Sequence, residues 1–179
     1  PQLDQHFPYR LLLNDGMTIV FPHWHKEVEI IYAKSGRVNI GLDGEVITLE
    51  EGEIIYFASG QPHYFLASPE SVRYVYQFDL KLFDESVLRK NEKDSLFSLF
   101  EDGQRHSRYW PEEFAETMRG ILLELFELEN TGTPGKNYLI LALLYRLIGE
   151  CYRYLPKQKI IKNKREDKPP FKLLFDRRS

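Results

Sequence analysis

Residues 1 to about 78 have the pattern of a series of short β-strands, several of which alternate apolar and polar side chains with a period of two. In the stretch RVNIGLDGEVITL, Val38, Ile40 and Leu42 share one face, and Asp43-Gly44 interrupts the alternation. An Asp-Gly pair at such a point is a strong signal for a two-residue hairpin, because type I′ turns need residues that tolerate positive φ. Further short strands follow at near-regular spacing with turn residues between them. This arrangement predicts a sandwich or a small barrel.

The period changes to that of a helix after Asp79. Pro111 and the two glutamates after it suit the first turn of a helix that we predict over residues 111–129. The break NTGTPG precedes a second helix, predicted over residues 136–154, whose stretch YLILALLYRLIG is apolar almost all round. A helix on the outside of a small domain needs only one apolar stripe. We therefore expect this helix to pack both on its own domain and on a second subunit.

The composition excludes several classes of protein. Cys151 is the only cysteine, so the chain has no disulfide framework and no cysteine metal cluster, and we expect a reducing, cytoplasmic environment. No apolar run reaches the length of a membrane span, so no membrane partner is expected. The net charge is −3, but residues 156–179 hold nine Lys or Arg against three acidic residues, which leaves residues 1–155 at −9. An acidic body does not attract nucleic acid through its general field, and we interpret the basic tail as a solvated linker.

A second constraint is a group of histidines with a glutamate. The stretch FPHWHKEVEI contains His23, His25 and Glu29, which would all point the same way along one continuous strand. His63, just after the turn at Gly60, is the natural fourth member from a neighbouring strand. Three imidazoles and a carboxylate suit a divalent metal such as Zn, Fe, Mn or Ni. The same four side chains also suit a metal-free pocket that binds the hydroxyl or carboxylate groups of a ligand.

The order and spacing of these residues resemble the two cupin motifs. The residues that carry the resemblance are His23, His25, Glu29 and Gly36 in the first motif, and Gly52, Gly60 and His63 in the second. Within the cupins, the stretches HWHKEVEIIYAKSG, LEEGEIIYFASGQPHYF and YQFDLKLF most resemble the N-terminal sensor half of AraC-type bacterial transcription regulators. The resemblance covers about residues 6–155.

The resemblance implies a mainly β fold with α-helices, namely a cupin-like jelly-roll β-barrel followed by an antiparallel helix pair. Residues 1–78 would form the effector-binding barrel, and residues 79–155 a helical dimerisation appendage. Residues 156–179 would be a basic linker toward a DNA-binding half for which the sequence has no room. We therefore expect a sensor domain separated from a longer regulator, with DNA as a partner only through that other half.

The same resemblance implies a non-enzymatic function. A small effector, for example a sugar, would bind inside the barrel and control an attached helix-turn-helix domain, and helices in residues 111–155 would form a homodimer. An N-terminal arm, residues 1–10, would fold over the mouth of the barrel; the alternative is a frayed terminus.

Several alternatives stay open. Tyr74 and Tyr76 either line the pocket with the four metal-ligating candidates or belong to the hydrophobic core. Trp24, between two histidines, is expected to face away from them and to pack under a helix. The four candidate ligands would also serve a cupin metalloenzyme, such as a dioxygenase or an isomerase, if the metal kept an open position. A carbohydrate-binding or storage barrel is the third possibility.

Overall fold

The computed structural model describes residues 3–88 and 92–158. Its strands are β1 (Tyr9–Asp15), β2 (Val20–His23), β3 (Val28–Ser35), β4 (Val38–Leu42), β5 (Glu45–Leu49), β6 (Ile54–Phe57), β7 (His63–Phe65) and β8 (Val72–Phe78). Its helices are α1 (Glu85–Leu88), α2 (Leu96–Asp102), α3 (Glu112–Glu129) and α4 (Lys136–Tyr154), with short 3-10 helices at Leu80–Leu82 and Ser107–Tyr109.

The strands form two antiparallel sheets of four strands each. The first has the order β1-β8-β3-β6 and the second the order β2-β7-β4-β5. This is a jelly-roll arrangement, and the predicted fold, mainly β with helices after the barrel, is confirmed. Strand β1 is an edge strand of the first sheet, and strand β2 is an edge strand of the second.

The core between the two sheets is made of aliphatic and aromatic side chains. Ile31, Ile55 and Phe57 of the first sheet belong to one buried cluster with Ile40 and Phe65 of the second. Burial of one such side chain contributes roughly 1.5–3 kcal/mol, so this layer is a main source of the stability of the barrel.

The predicted hairpin at Asp43-Gly44 is present. Leu42 pairs with Glu45, which leaves two residues in the turn, and their φ angles are 52° and 83°. Positive φ at both central positions is the signature of the type I′ turn, whose twist matches that of the flanking strands. The local sequence thus sets the register of β4 and β5.

A second core lies on the outer face of the first sheet, beneath the helices. Strand β8 contributes Tyr74 and Tyr76 to this face: the Tyr76 hydroxyl donates to the carbonyl of Leu122 at 2.7 Å, and the Tyr74 ring stacks on Phe126 with centroids 4.2 Å apart. The inward-facing residues of β8 are its other alternate positions. One strand therefore separates the barrel interior from α3.

The helices α3 and α4 pack against each other and are joined by residues 130–135. Their bounds lie within a residue of the predicted ranges. On α4 the buried residues are Ile140, Leu144, Leu147, Ile148 and Cys151. Burial raises the pKa of the Cys151 thiol, which makes this cysteine an inert core residue. Among the described helices, none is both long and apolar enough to cross a bilayer.

The division of the chain near residue 78 stays a prediction. The proposed basic linker falls largely on residues 159–179, which lie outside the described residues.

Candidate metal centre

The four candidate ligands meet at one point between the two sheets. One donor atom from each of His23, His25, Glu29 and His63 can be chosen so that all four lie within 4.8 Å of one another. Glu29 and His63 are only 1% exposed, whereas His23 and His25 are half-buried toward a pocket. The structure therefore brings together all four residues that the motif spacing predicted.

The four residues reach this point by a route that the sequence did not predict. His23 ends β2 in the second sheet, His25 lies in the connection, and Glu29 belongs to β3 in the first sheet. The prediction that these three residues share a face of one continuous strand is wrong, because the chain crosses between sheets here. The crossing is what allows ligands from both sheets to converge. His63 is the pairing partner of His23 across β2 and β7.

A turn residue holds the two motifs together. Gly60 has a φ of +80°, a conformation that favours glycine, and its N–H donates to the carbonyl of His25 at 2.7 Å. The turn that precedes His63 is thus hydrogen-bonded to the connection that carries His25.

The three imidazole rings share one orientation of their nitrogen atoms. Nδ1 lies 2.9 Å from the Phe21 carbonyl in His23, 3.1 Å from the Glu27 carbonyl in His25, and 2.9 Å from the Gln61 carbonyl in His63. A carbonyl oxygen only accepts hydrogen bonds, so each Nδ1 carries the hydrogen. In the neutral rings every Nε2 therefore presents a lone pair. This second contact is the usual way in which proteins fix metal-binding histidines.

The lone pairs converge on a carboxylate, which is also an acceptor. His25 Nε2 lies 3.0 Å from Glu29 Oε2, and His63 Nε2 lies 3.3 Å from Glu29 Oε1. Both His63 Nε2 and Glu29 Oε1 are buried and have no hydrogen-bond partner among the described residues. Neutral imidazole lone pairs and carboxylate oxygens repel one another at these distances. The cluster requires a cation at its centre, either a metal ion or added protons.

The electrostatics of the cluster favour an ionised glutamate. Burial opposes ionisation of Glu29, but the hydrogen bond from Gln77 and the attraction to His25 and His63 in their protonated forms outweigh it, so the pKa of the carboxyl falls to about 2. Burial also lowers the pKa of His23, so its imidazole is held in the neutral form that binds metal. For His25 burial again favours the neutral form, but the bond to Glu29 prevails and raises the pKa. In the absence of a metal, His25 is therefore protonated more readily than an unperturbed histidine.

The donor set fits a divalent ion. Neutral imidazoles and a carboxylate are ligands of Zn, Fe, Mn and Ni, and a buried anion such as Glu29 compensates part of the charge. His63 is held in place by its stacking on Phe57, with centroids 4.1 Å apart and rings inclined by 9°. A bound ion would supply Lewis acidity at the pocket floor, and the four side chains would fix its position.

A pocket of about 650 Å³ opens beside the cluster. It lies at the seam between the edge strands β1 and β2, and its wall includes Arg10 and Leu12 from the first sheet and Val20 from the second. The volume is in the range that accommodates small organic ligands. Leu3 also lines the pocket, so the N-terminal segment reaches its mouth; the function of that segment as an arm stays a prediction.

The sequence analysis missed two residues of the site. Gln77 donates a short hydrogen bond to Glu29 Oε2 and lies opposite Glu29 in the β3–β8 ladder. Arg10 in turn donates to Gln77 Oε1 through Nε, at 3.0 Å, and through Nη2. A signal for Gln77 existed in the alternation of β8, but that pattern does not show which of the two faces points inward.

For the aromatic residues, the structure decides one open alternative and corrects one expectation. Tyr74 and Tyr76 do not line the pocket: they lie on the opposite face of β8, where the helices cover them. Their alternates Val75 and Gln77 occupy the pocket wall instead. Trp24 does not pack under a helix, since it is 70% exposed and lies in the wall of the pocket.

Comparisons with known proteins agree with the barrel. Residues 12–78 match the family model described as Cupin domain. No curated protein matches the chain at a significant level.

Among solved structures, the chain is similar to a mutant of oxalate decarboxylase from Bacillus subtilis, with 29% identity over 45% of this chain and 23% of that one, at a TM-score of 0.36. It is similar to a cupin protein from Bacteroides fragilis, with 21% identity over 49% of this chain and 80% of that one, at a TM-score of 0.38. The EutQ protein of Clostridium difficile gives 24% identity over 40% of this chain and 54% of that one, at a TM-score of 0.33. The alignment thus takes in less than a quarter of the length of the decarboxylase. Given the family match and the observed topology, the barrel of this chain has the cupin fold.

Proposed function

We propose that this chain is the effector-sensing and dimerisation domain of a cytoplasmic AraC-type transcription regulator, and that its pocket is built on a divalent metal ion. The observation that supports the metal is the common tautomer of His23, His25 and His63, whose Nε2 lone pairs face the Glu29 carboxylate. DNA would be bound by a separate helix-turn-helix domain and not by this acidic body.

The sensor function is supported by the two faces of β8. Val75 and Gln77 line the pocket, and the alternate residues Tyr74 and Tyr76 contact α3. A ligand that displaces the inward residues moves the outward ones, because both are side chains of one strand. A ligand shifts the equilibrium between two conformations of a protein only if it binds one of them more tightly. Contacts with the inward side chains of β8 could provide this difference in affinity and so move an attached element.

The dimer is supported by an apolar groove of about 640 Å³ between α3 and α4. Leu123, Leu128, Leu139 and Leu143 line it, and Glu124 and Arg146 lie among them. Leu139 is 43% exposed although it is a large aliphatic residue. A second copy would present the same groove across a twofold axis, which is the commonest way to cover such a surface.

Metal analysis tests the first half of this proposal. We expect about one divalent ion per chain after reconstitution with Zn²⁺ or Mn²⁺, and a lower melting temperature after chelation. A ligand present at a hundredfold excess over its Kd stabilises the native state by about 2.7 kcal/mol, so the shift is easily measured. Protein with no stoichiometric ion and no response to metal would leave only the metal-free pocket.

Light scattering at micromolar concentration tests the second half. We expect a dimer of chains of 21.2 kDa each. Leu139→Glu, in the groove, is expected to give monomers, whereas Phe97→Glu, an exposed residue of α2 outside the groove, is the matched control. A wild-type monomer would contradict both the dimer and much of the argument for a regulator.

A metalloenzyme, such as a dioxygenase or an isomerase, is the second candidate function. It is favoured by one observation, the direct opening of the ligand cluster into the pocket through His23 and His25. A metal-loaded protein that returns a bound ligand unchanged supports the sensor, and turnover of that ligand supports the enzyme.

A further inference from the structure

The outer faces of the two sheets differ in what covers them. Among the described residues, the helices share a buried cluster with strands of the first sheet and with no strand of the second. The outer face of the second sheet nevertheless carries large apolar side chains, since Phe21 is 82% exposed and Val46 is 56% exposed. Exposed apolar side chains that are contiguous, and not scattered singly, are typical of an interaction surface.

The strand register places these side chains in one row across the second sheet. Val46 pairs with Gly41, and Gly41 pairs with Tyr64. Phe21 lies opposite Tyr64 in the irregular pairing of β2 with β7. A Cβ added at Gly41 would lie 1.8 Å from Tyr64 Cζ, so the Tyr64 ring lies directly over this glycine. We call Phe21, Tyr64 and Val46 the outer row.

The outer row is flanked by negative charge at its β5 end. Residues 43–53, which contain β5 and the turns on either side of it, hold five acidic residues and no Lys or Arg. Asp43 and Glu45, next to Val46 in the chain, are exposed. A second copy of the chain would bring the same acidic residues to the contact, where like charges repel. The surface therefore fits an occupant that is both apolar and basic.

The chain contains such a segment after its last described residue. Residues 159–179 hold eight Lys or Arg against three acidic residues. Within them, residues 171–175 have the sequence FKLLF. In an extended backbone Phe171, Leu173 and Phe175 would share one face, since alternate side chains of a strand point the same way.

This segment is long enough to reach the outer row. Gln158 is held at the end of α2, where its N–H donates to the Asp102 carbonyl at 2.8 Å. Phe171 is thirteen residues further on, and an extended chain of that length spans about 43 Å. A four-stranded sheet is only about 15 Å wide, and a second sheet packs about 10 Å from it. The segment can therefore pass around the barrel.

We propose that the outer row is the docking surface for residues 171–175 of the same chain. The apolar face of that segment covers the outer row, and the basic residues near it lie beside Asp43 and Glu45. The contact gives the linker of the proposed regulator a fixed path along the side of the barrel that the helices leave open. It depends neither on the metal nor on the dimer.

Disulfide cross-linking of the full chain tests this contact. Cys151 is the only cysteine and is buried, so it does not compete with introduced thiols. We expect Val46→Cys combined with Leu173→Cys to form a disulfide within one chain at least tenfold faster than Val46→Cys combined with Leu174→Cys. Leu174 is the matched control, because it is the next residue of the same segment and would lie on the opposite face.

A second control measures the effect of tethering alone. Phe97 is exposed on α2, and Asp94, three residues before it, forms an ion pair with Lys157 at 3.0 Å. A segment without a docking surface would meet Phe97→Cys at least as often as Val46→Cys. Cross-linking of Leu173→Cys to Phe97→Cys at an equal or higher rate would overturn the proposal, as would equal rates for the two positions of the segment. A disulfide that forms only between chains would overturn it in favour of a second copy.

Chymotrypsin cleavage gives a readout that needs no introduced thiol. Within residues 159–179, the aromatic and leucine residues after which this protease cuts all lie in 171–175. Docking shields these bonds, so Val46→Asp is expected to accelerate cleavage there at least fivefold. Val87→Asp, which replaces an exposed valine of α1, is the matched control and should leave the rate unchanged. No acceleration by Val46→Asp, or equal acceleration by both variants, would contradict docking on the outer row.

Discussion

Within residues 3–88 and 92–158, histidine meets glutamate in two clusters, which differ in what lies between the two groups. At the metal centre, His25 and His63 face Glu29 at 3.0 and 3.3 Å. In the second cluster, the buried His106 faces Glu53 at 3.6 Å, and both residues lie outside the pocket. Proximity and burial alone do not distinguish the two.

The difference is in the tautomer and in the nearby cation. His106 Nδ1 accepts a hydrogen bond from the backbone N–H of Arg108 at 3.2 Å, so the hydrogen of the neutral ring is on Nε2 and points toward Glu53. The Arg108 guanidinium supplies a positive charge to Glu53 at 2.9 Å. The Nε2 atom of His106 has no hydrogen-bond partner among the described residues, but the charge of Glu53 is compensated by Arg108.

At the metal centre every Nδ1 is occupied by a carbonyl, and the facing atoms are all acceptors apart from the Gln77 amide. The comparison teaches that a histidine next to a glutamate indicates a metal site only under one condition. The ring nitrogen that faces away from the glutamate must already donate its hydrogen to an acceptor. His106 lacks this feature, because its Nδ1 accepts a hydrogen bond from the backbone N–H of Arg108.

The largest expected effect is on metal content, which should fall when a histidine of the metal centre is replaced but not when His106 is replaced. His63→Ala removes one of four ligands, and we expect the purified variant to contain almost no divalent ion by elemental analysis. His106→Ala is the matched control: it removes a buried histidine next to a glutamate and is expected to keep the wild-type stoichiometry. Equal loss of metal in both variants would remove the distinction between the clusters.

A smaller effect is expected from a residue that holds a ligand without being one. Gln77→Leu keeps approximately the volume of the side chain but removes the hydrogen bond to Glu29. Loss of such a supporting contact typically lowers metal affinity 10- to 100-fold, and we expect a change of that order in competition titrations with a chelator. Gln104→Leu, remote from the pocket, should leave the affinity unaltered. An unchanged affinity in Gln77→Leu would mean that Glu29 is oriented by the histidines alone.

The smallest expected effect is the pH dependence of stability in the metal-free protein. The stabilising contributions of His25 and His106 should change with pH in opposite directions. The pKa of His25 is raised above 6.5 through its bond to Glu29, which outweighs burial, so its contribution is complete below pH 6.5 and is lost as the pH rises through the raised value. The pKa of His106 is lowered by burial, so its contribution is present above pH 6.5 and is lost as the pH falls through the lowered value.

Urea unfolding at several pH values, with chelator present, measures this difference. The difference in the free energy of unfolding between wild type and His25→Ala should decrease from pH 6 to pH 8. The corresponding difference between wild type and His106→Ala should decrease from pH 7 to pH 5. One proton limits each slope to about 1.4 kcal/mol per pH unit. Slopes of the same sign would show that Glu53 stabilises the protonated form of His106 in the way that Glu29 stabilises that of His25.

The sequence by itself determined the local structure of this protein. The hairpin at Asp43-Gly44 depends on two residues that tolerate positive φ, and the helices depend on a period of 3.6 over long stretches. The identity of the four candidate ligands followed from motif spacing. Each of these patterns lies within about twenty consecutive residues or is a fixed spacing between residues. Their prediction therefore required no knowledge of contacts between distant parts of the chain.

Only the tertiary structure decided which residues line the pocket. Period two shows that Tyr74 and Tyr76 share one face of β8 and that Val75 and Gln77 share the other, but not which face is inside. In a strand with one solvated face the polar residues would answer this question. Both faces of β8 are covered, one by the second sheet and one by α3, so every residue from Arg73 to Phe78 is buried. The pattern therefore carries no inside-outside signal, and the pairing of Gln77 with Glu29 arises only when β3 and β8, almost fifty residues apart in the chain, lie side by side.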